Sequence, residues 1–453
     1  MGRPQYKVEG VRKRLLCFGV FYFERRNLVK VFVETGINRR GLWLSQEELK
    51  MLAVLADMRM MSSKQLYQFL YPKKHYTYNG FLNRLKKYEK CKIILSYDLT
   101  IGQAGFRYRY HRISQRGIDL LKEHDYLPNN WEPKPFRKYV SRKWLDHALA
   151  TREATTILLS KLWEHHRLFQ IEDTLLNEGE TYLGEGEERL IPDFIIKLED
   201  RNVYIELDTG SEHFPTIVNK VRKYDKFSIK TKKKRHTLYF VILDASFQSI
   251  IQYAGDRQRR IANMKQAILQ EWSPHNSNLD IVVLSLTRLY KQGYQFIKDN
   301  YASEKDIYRR QIDFLSQLLN MKHTDGRFLQ SQHLPSPLSE KFSLADLCFE
   351  RTKELEKKER WWVVQMREGD MNSLGRALEL HEWIQRYGVQ ELDYVVLVYQ
   401  RKEEMENDVV GGTYPQLLSA SIEEWLQNIA LEEPLMLYES TSPFKWEEKE
   451  YEI

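Results

Sequence analysis

The segment Leu190-Ile191-Pro192-Asp193-Phe194-Ile195-Ile196-Lys197-Leu198-Glu199-Asp200-Arg201-Asn202-Val203-Tyr204-Ile205-Glu206-Leu207-Asp208 decides how this chain is read. Glu199-Asp200-Arg201-Asn202 is a polar turn between two β-rich runs, which predicts a hairpin. Side chains alternate along a strand, and opposed residues of an antiparallel pair share a face. With that turn Leu198 meets Val203, Asp193 meets Asp208 and Ile195 meets Glu206. One face then carries Asp193, Ile195, Lys197, Tyr204, Glu206 and Asp208, and the other only Phe194, Ile196, Leu198, Val203, Ile205 and Leu207. An apolar face pins the register and gathers the carboxylates of Asp193, Glu206 and Asp208 at one end of the opposite face. Carboxylates so close repel unless protonated or bridged by a cation, and hard oxygens select Mg²⁺ or Mn²⁺. These three residues are the expected metal ligands. The plain alternative is a solvated strand end whose acids only aid solubility.

Working outward, a helix is predicted from Trp144 to about His166, a strand from Phe169 to Leu176 and a Gly- and Glu-rich loop from Glu178 to Glu188. After the hairpin come a helix from Pro215 to about Phe227 and a strand from Thr237 to Leu243, an αβββαβ order. The second helix presents Lys220 and Lys223, about a turn apart, where an ammonium can orient water or offset phosphate charge. Its other face, Ile217, Val221 and Tyr224, is expected core. Lys226, Lys230, Lys232, Lys233, Lys234 and Arg235, with Arg257, Arg259 and Arg260 beyond the strand, suit a DNA backbone or are solvated loop charge. A helix from Gln258 to Trp272 and a strand from Leu279 to Leu286 extend the sheet. Strands Trp361–Met366 and Tyr394–Tyr399 flank a helix from Ser373 to Tyr387, a further α/β unit with no catalytic constellation.

Upstream, Ser45 with Glu48 forms a capping box before Leu49, Leu52, Ala53 and Leu55. A second helix starts at Ser62-Ser63, and a third runs from near Tyr76 to Lys90 with Phe81, Leu82 and Leu85 inward. Strands Ile93–Leu99 and Phe106–Ile113 follow, joined by Ile101-Gly102-Gln103-Ala104-Gly105. Three short helices and a hairpin resemble a winged-helix DNA-binding domain. Its recognition helix would present Tyr76, Thr77, Asn79, Asn83, Arg84, Lys86 and Lys87, and its wing Arg107, Arg109 and Arg112 between aromatic residues. The alternative is the same fold used for protein contacts. The expected domains are an arm at 1–43, the winged helix at 44–126, a Pro-rich linker at 127–143, an αβββαβ domain at 144–290 and a helical and α/β region at 291–453.

The chain has 453 residues, 70 Lys plus Arg against 63 Asp plus Glu, and a net charge of +7, which permits a polyanionic partner without requiring one. Cys17, Cys91 and Cys348 form no CxxC pair, which excludes a disulfide framework or thiolate zinc site and points to a reducing, cytoplasmic setting. The apolar run Leu15–Phe23 is too short to span a bilayer and is expected to be a core strand, so no membrane role is expected. There is no GxxxxGK[ST], GxSxG or HExxH, which removes NTPases, common serine hydrolases and zincins. No HxH triplet occurs, which argues against a histidine-metal, tyrosine-nucleophile relaxase.

Pro192-Asp193 followed by Glu206-Leu207-Asp208 within that element order looks like the PD-(D/E)xK nuclease core. With Ile113-Ser114-Gln115-Arg116-Gly117, Leu145-Asp146-His147-Ala148-Leu149, Glu206-Leu207-Asp208-Thr209-Gly210-Ser211 and Lys220 to Tyr224, the chain is similar to the replication-relaxation family of plasmids and integrative elements, whose members include MobC-type relaxases. The resemblance covers roughly residues 44 to 245. It implies that Asp193 and Glu206 bind Mg²⁺ or Mn²⁺ with help from Asp208, and that double-stranded DNA at an origin-like site is nicked, with helper proteins or a second copy as possible partners. The lysine that the motif places two residues after Glu206 is Asp208 here, so Lys220 or Lys223 must reach in from the helix. Glu153 is a further candidate ligand. If neither lysine reaches, the implied protein is a DNA-binding regulator or replication accessory on an inactive nuclease scaffold.

Overall fold

The computed structural model describes residues 30–35, 41–101, 106–133, 142–173, 190–231, 233–247, 256–272, 278–298, 301–322, 326–334, 336, 338–352, 358–387 and 393–449. The apolar run at 15–23, the turn residues 102–105, the loop at 178–188, Lys232 and the side chain of Arg107 lie outside them. The chain is a multidomain α/β protein with several sheets. It divides into one unit of Met1–Thr181 with Pro192–Glu199 and another of Tyr182–Ile191 with Asp200–Ile453.

In the first unit, β1 (Val31–Glu34) and β2 (Gly41–Leu44) form an antiparallel pair. Ser45 then starts α1 (Gln46–Met58) through a complete capping box: its N–H donates to Glu48 Oε2 at 2.7 Å and its Oγ accepts the Glu48 N–H at 3.4 Å. β3 (Met61–Ser62) leads into α2 (Ser63–Leu70), where Ser62 and Gln65 repeat the box. Thr77 caps α3 (Tyr78–Lys90), so this helix begins two residues later than its apolar spacing predicts. Phe81 and Leu85 are buried as expected, but the third buried position is Tyr88, and Leu82 is only half-buried. β4 (Ile94–Ile101) and β5 (Phe106–Ile113) are antiparallel, and β3 adds to β5 in the order β3-β5-β4.

After α4 (Gln115–Glu123), capped by Ser114, comes α5 (Arg142–Glu164). This helix docks on the three-helix bundle. The fully buried Arg152 donates to Met58 O at 2.9 Å, Gln65 donates to Leu149 O at 2.8 Å, and Phe69 stacks on Trp163 at 4.4 Å. β6 (Gln170–Asp173) pairs antiparallel with β7 (Phe194–Lys197).

The second unit begins with β8 (Arg201–Asp208), α6 (Phe214–Lys230) and β9 (Arg235–Ile242), a parallel crossover that α7 (Arg257–Glu271) and the parallel β10 (Leu279–Ser285) extend. Every residue from Val203 to Asp208 is buried, so the polar alternate positions Tyr204, Glu206 and Asp208 are covered as fully as Val203, Ile205 and Leu207. A parallel strand is closed on both faces by its crossover helices. Downstream lie α8 (Leu286–Gln292), α9 (Tyr301–Lys322), β11 (Arg327–Phe328), β12 (Leu347–Thr352), β13 (Lys358–Met366), α10 (Met371–Tyr387), β14 (Asp393–Tyr399), α11 (Lys402–Asn407), β15 (Leu417–Ser421), α12 (Ile422–Ala430), β16 (Leu437–Ser442) and β17 (Lys445–Lys449). β11 to β17 form one seven-stranded sheet in sequence order, with β13, β14 and β15 parallel at its centre. The predicted two-strand unit is thus the middle of a larger sheet, whose core joins Leu315 and Leu319 of α9 to Trp361 and Trp425. Val283 N–H to Gly369 O at 3.0 Å and Asn372 Nδ2 to Leu279 O at 3.0 Å tie it to β10.

Candidate functional site

β8 carries Glu206 and Asp208 on one side of the strand, two residues apart, near its C-terminal end. Helix α6 returns over them with Lys220 and Tyr224, four apart and therefore on one face. Lys220 Nζ lies 3.0 Å from Glu206 Oε2, and the Tyr224 hydroxyl donates to Glu206 Oε1 at 2.6 Å. Lys220 also reaches Glu212 Oε1 at 2.9 Å. Glu206 and Asp208 are each 2% exposed. Asp208 is gripped from α7: Arg260 Nε donates to Oδ2 at 2.8 Å and a terminal nitrogen to Oδ1 at 3.0 Å. The Gly210 N–H donates to the same Oδ1 at 3.0 Å, and Gly210 has the left-handed φ of 85° that lets the chain fold back over the carboxylate. The Arg260 guanidinium lies over the Phe214 ring at 4.4 Å. Three carboxylates here meet two cationic side chains.

Asp193 stands in the first unit, where His147 Nε2 is 3.2 Å from its Oδ2. His147 comes from α5, inside the Leu145–Leu149 stretch that carried the resemblance. Glu153, 4% exposed, meets Lys64 at 3.4 Å and buries its Oε2 without a hydrogen-bond partner. Lys223 is half-buried on α6. Among the described residues, no three His, Cys, Asp or Glu side chains stand together as a metal ion requires.

The expected DNA-contact residues separate into two groups. Thr77, Asn79, Asn83, Lys86 and Lys87 are exposed on α3. Arg84 and Tyr76 instead turn to the fully buried Glu48: Arg84 Nε donates to Oε1 at 2.6 Å and the Tyr76 hydroxyl at 3.2 Å. Tyr88 adds 2.7 Å and Lys74 3.2 Å. Burial pushes the Glu48 carboxyl up, but the bonds from Arg84, the Ser45 N–H and Tyr88 outweigh it and bring it down to about 2. On the β4–β5 hairpin, Arg109 faces Asp98 at 3.4 Å, Arg112 is half-buried, and Tyr97 stacks on Tyr110 at 5.2 Å. Behind it His111, 1% exposed, joins Ser63 Oγ at 2.8 Å and Ser96 Oγ at 2.7 Å. Burial, reinforced by the Arg109 charge, holds its imidazole down at about 4.

In the basic run, Lys226, Lys230 and Lys233 are exposed, whereas Arg235 is bound by Asp280 and Arg260 by Asp208. Sequence reasoning missed three contributors. Tyr224 was assigned to the core, where its ring does lie, but its place four residues after Lys220 signals that its hydroxyl can share the same carboxylate. His147 was visible only as part of a resemblance, and Arg260, 52 residues from Asp208, left no local signal. No helix among the described residues is long and apolar enough to cross a membrane. Residues 52–242 match the family described as replication-relaxation. No curated protein and no solved structure gives a match.

Proposed function

With a replication-relaxation region at residues 52–242 as the premise, we propose that this chain binds and nicks double-stranded DNA at an origin-like site of a mobile genetic element. On this reading, α1 to β5 are a winged helix. Its α3 offers Thr77, Asn79, Asn83, Lys86 and Lys87 to a groove, and Arg109 and Arg112 of the wing flank the backbone. β8, α6 and β9 are read as the part of a PD-(D/E)xK-type core that carries Glu206 and Asp208.

The observation that carries the reading is the buried Glu206 with Lys220 at 3.0 Å and Tyr224 at 2.6 Å, a carboxylate and lysine brought together although the motif's usual lysine position is Asp208. The donor set suits a hard divalent cation, because Glu206 and Asp208 are buried oxygens that already attract positive charge. Glu206 and Asp208 would supply oxygen ligands to Mg²⁺ or Mn²⁺, and the cation when bound would polarise a phosphoryl oxygen and acidify a water. Lys220 would stay beside the reacting phosphate and offset its developing charge. Tyr224 would hold Glu206 in position, and His147 would orient Asp193.

A second reading is favoured by the contact of Arg260 with Asp208, since both oxygens of that carboxylate are occupied. The chain would then be a DNA-binding replication accessory on an inactive scaffold. The deciding experiment incubates the chain, Glu206→Gln and Asp193→Ala with negatively supercoiled plasmid bearing the element's own origin, with Mg²⁺, Mn²⁺ or chelator. Open circles that need the cation and vanish in both variants support nicking. A salt-sensitive gel shift without open circles, helper proteins included, overturns nicking in favour of the accessory.

A further inference from the structure

A cleft of about 590 Å³ lies at the carboxyl ends of the parallel strands β13, β14 and β15, in the sheet that the proposed function does not use. Arg367 follows β13 directly, Arg401 follows β14 and Ile422 follows β15, so loops leaving adjacent strands form its wall. The crevice beyond the carboxyl ends of parallel strands is where open α/β sheets receive ligands, and this volume is in the range of small-molecule sites.

The lining is strongly unbalanced in charge. Among the described residues that line it, Arg367 and Arg401 at the strand ends, with Lys298 and Arg310, stand beside one carboxylate, Glu404. Glu404 is 5% exposed, and burial pushes its carboxyl up against the pull of Arg401 and Arg367. Such a wall selects an anion, and arginine forks suit phosphate oxygens in particular.

Two further features point past inorganic phosphate. Gln365 donates its Nε2 to Gln311 Oε1 at 2.7 Å, while its own Oε1 is buried with no hydrogen-bond partner, an acceptor awaiting a donor. Phe314 of α9, 41% exposed, lines the same cleft, and Phe296 lies beneath the Arg367 guanidinium at 5.4 Å. An exposed ring is a platform for a nucleobase, and an exocyclic amine is the donor that a buried amide oxygen lacks.

We propose that this cleft binds a nucleotide, with its phosphates on Arg367 and Arg401 and its amino-bearing base between Phe314 and Gln365. The same chemistry is offered by a free nucleotide and by a nucleotide of a single strand. The inference stands apart from the nicking reading, which it neither needs nor tests.

Isothermal titration of the full chain with ATP, ITP, pyrophosphate and a short single-stranded oligonucleotide, beside Arg401→Glu and Gln365→Leu, decides it. Arg401 is exposed, so its variant is expected to fold as the parent does. Saturable ATP binding, weakened at least tenfold in Arg401→Glu, supports a free nucleotide. Oligonucleotide binding without ATP binding, with the same sensitivity, supports a strand. Because α3 and the wing are unchanged in Arg401→Glu, their contacts cancel in that comparison. Gln365→Leu should erase a preference for ATP over ITP, whose base lacks the amine. The proposal is overturned if neither ligand saturates, if Arg401→Glu binds as the parent does, or if pyrophosphate binds as tightly as ATP.

Discussion

Arg260 of α7 holds both oxygens of Asp208 at the end of β8, at 2.8 and 3.0 Å, with side chains 8% and 2% exposed. The pair joins a helix and a strand that are 52 residues apart and neutralises a carboxylate that water cannot reach. Removing one partner of a buried pair strands the other charge. Arg260→Ala is therefore expected to cost about 3 to 5 kcal/mol in urea denaturation. The double variant Arg260→Met/Asp208→Leu should recover most of that loss, and equal losses in both would show that the contact is not what matters there.

Glu48 plays the corresponding part in the first unit. Its carboxyl is held at about 2, below the ordinary 4.5, so the stability it contributes is complete above pH 4.5 and is lost as pH falls toward 2. That contribution is about 3 kcal/mol. Glu48→Gln is expected to flatten the stability profile between those pH values, and a profile parallel to the parent's would refute the assignment.

His111 acts in the same direction at higher pH. Its imidazole is held down at about 4 from an ordinary 6.5, so the unfolded chain takes up the proton first. Stability is complete above pH 6.5 and declines as pH falls through about 4. Replacement by Gln should remove that decline, and Ser63→Ala should cost about 1 kcal/mol at neutral pH through one lost buried hydrogen bond. Denaturation at stepped pH measures both.

The α3 residues give a contrast between two neighbouring cations. Under the proposed function, Lys86→Ala or Lys87→Ala should weaken DNA binding with little change in Tm, and each should lower the slope of log affinity against log salt by about 0.9. Arg84→Ala should instead lower Tm first, because it leaves Glu48 buried with fewer partners. Gel shifts at several salt concentrations, run beside thermal melts, separate the two; a salt slope unchanged in both lysine variants would exclude this face.

Local chemistry was legible in the sequence. Ser45 with Glu48 announced the first helix, because a capping box is completed within four residues, and Ser62-Ser63 marked the start of the second. Alternation marked the strands that carry Glu206 and Asp208, since the side-chain period of a strand is a property of the backbone. Partners were not legible. Outward spacing placed Arg84 on a DNA face, yet a buried carboxylate 36 residues away claims it. The two strands predicted in the C-terminal third are the centre of seven, because short flanking strands gain their stability from neighbours and show little pattern of their own.

The sequence by itself determined which residues carry charge, which segments are helical and which strand positions share a face, all of which depend on neighbours within a few residues. Only the tertiary structure decided that Lys220 and Tyr224 reach Glu206, that Arg260 claims Asp208, and that Arg367 and Arg401 line one cleft. Those pairings rest on long-range packing, where burial sets the strength of each charge contact and the chain order says nothing about who meets whom.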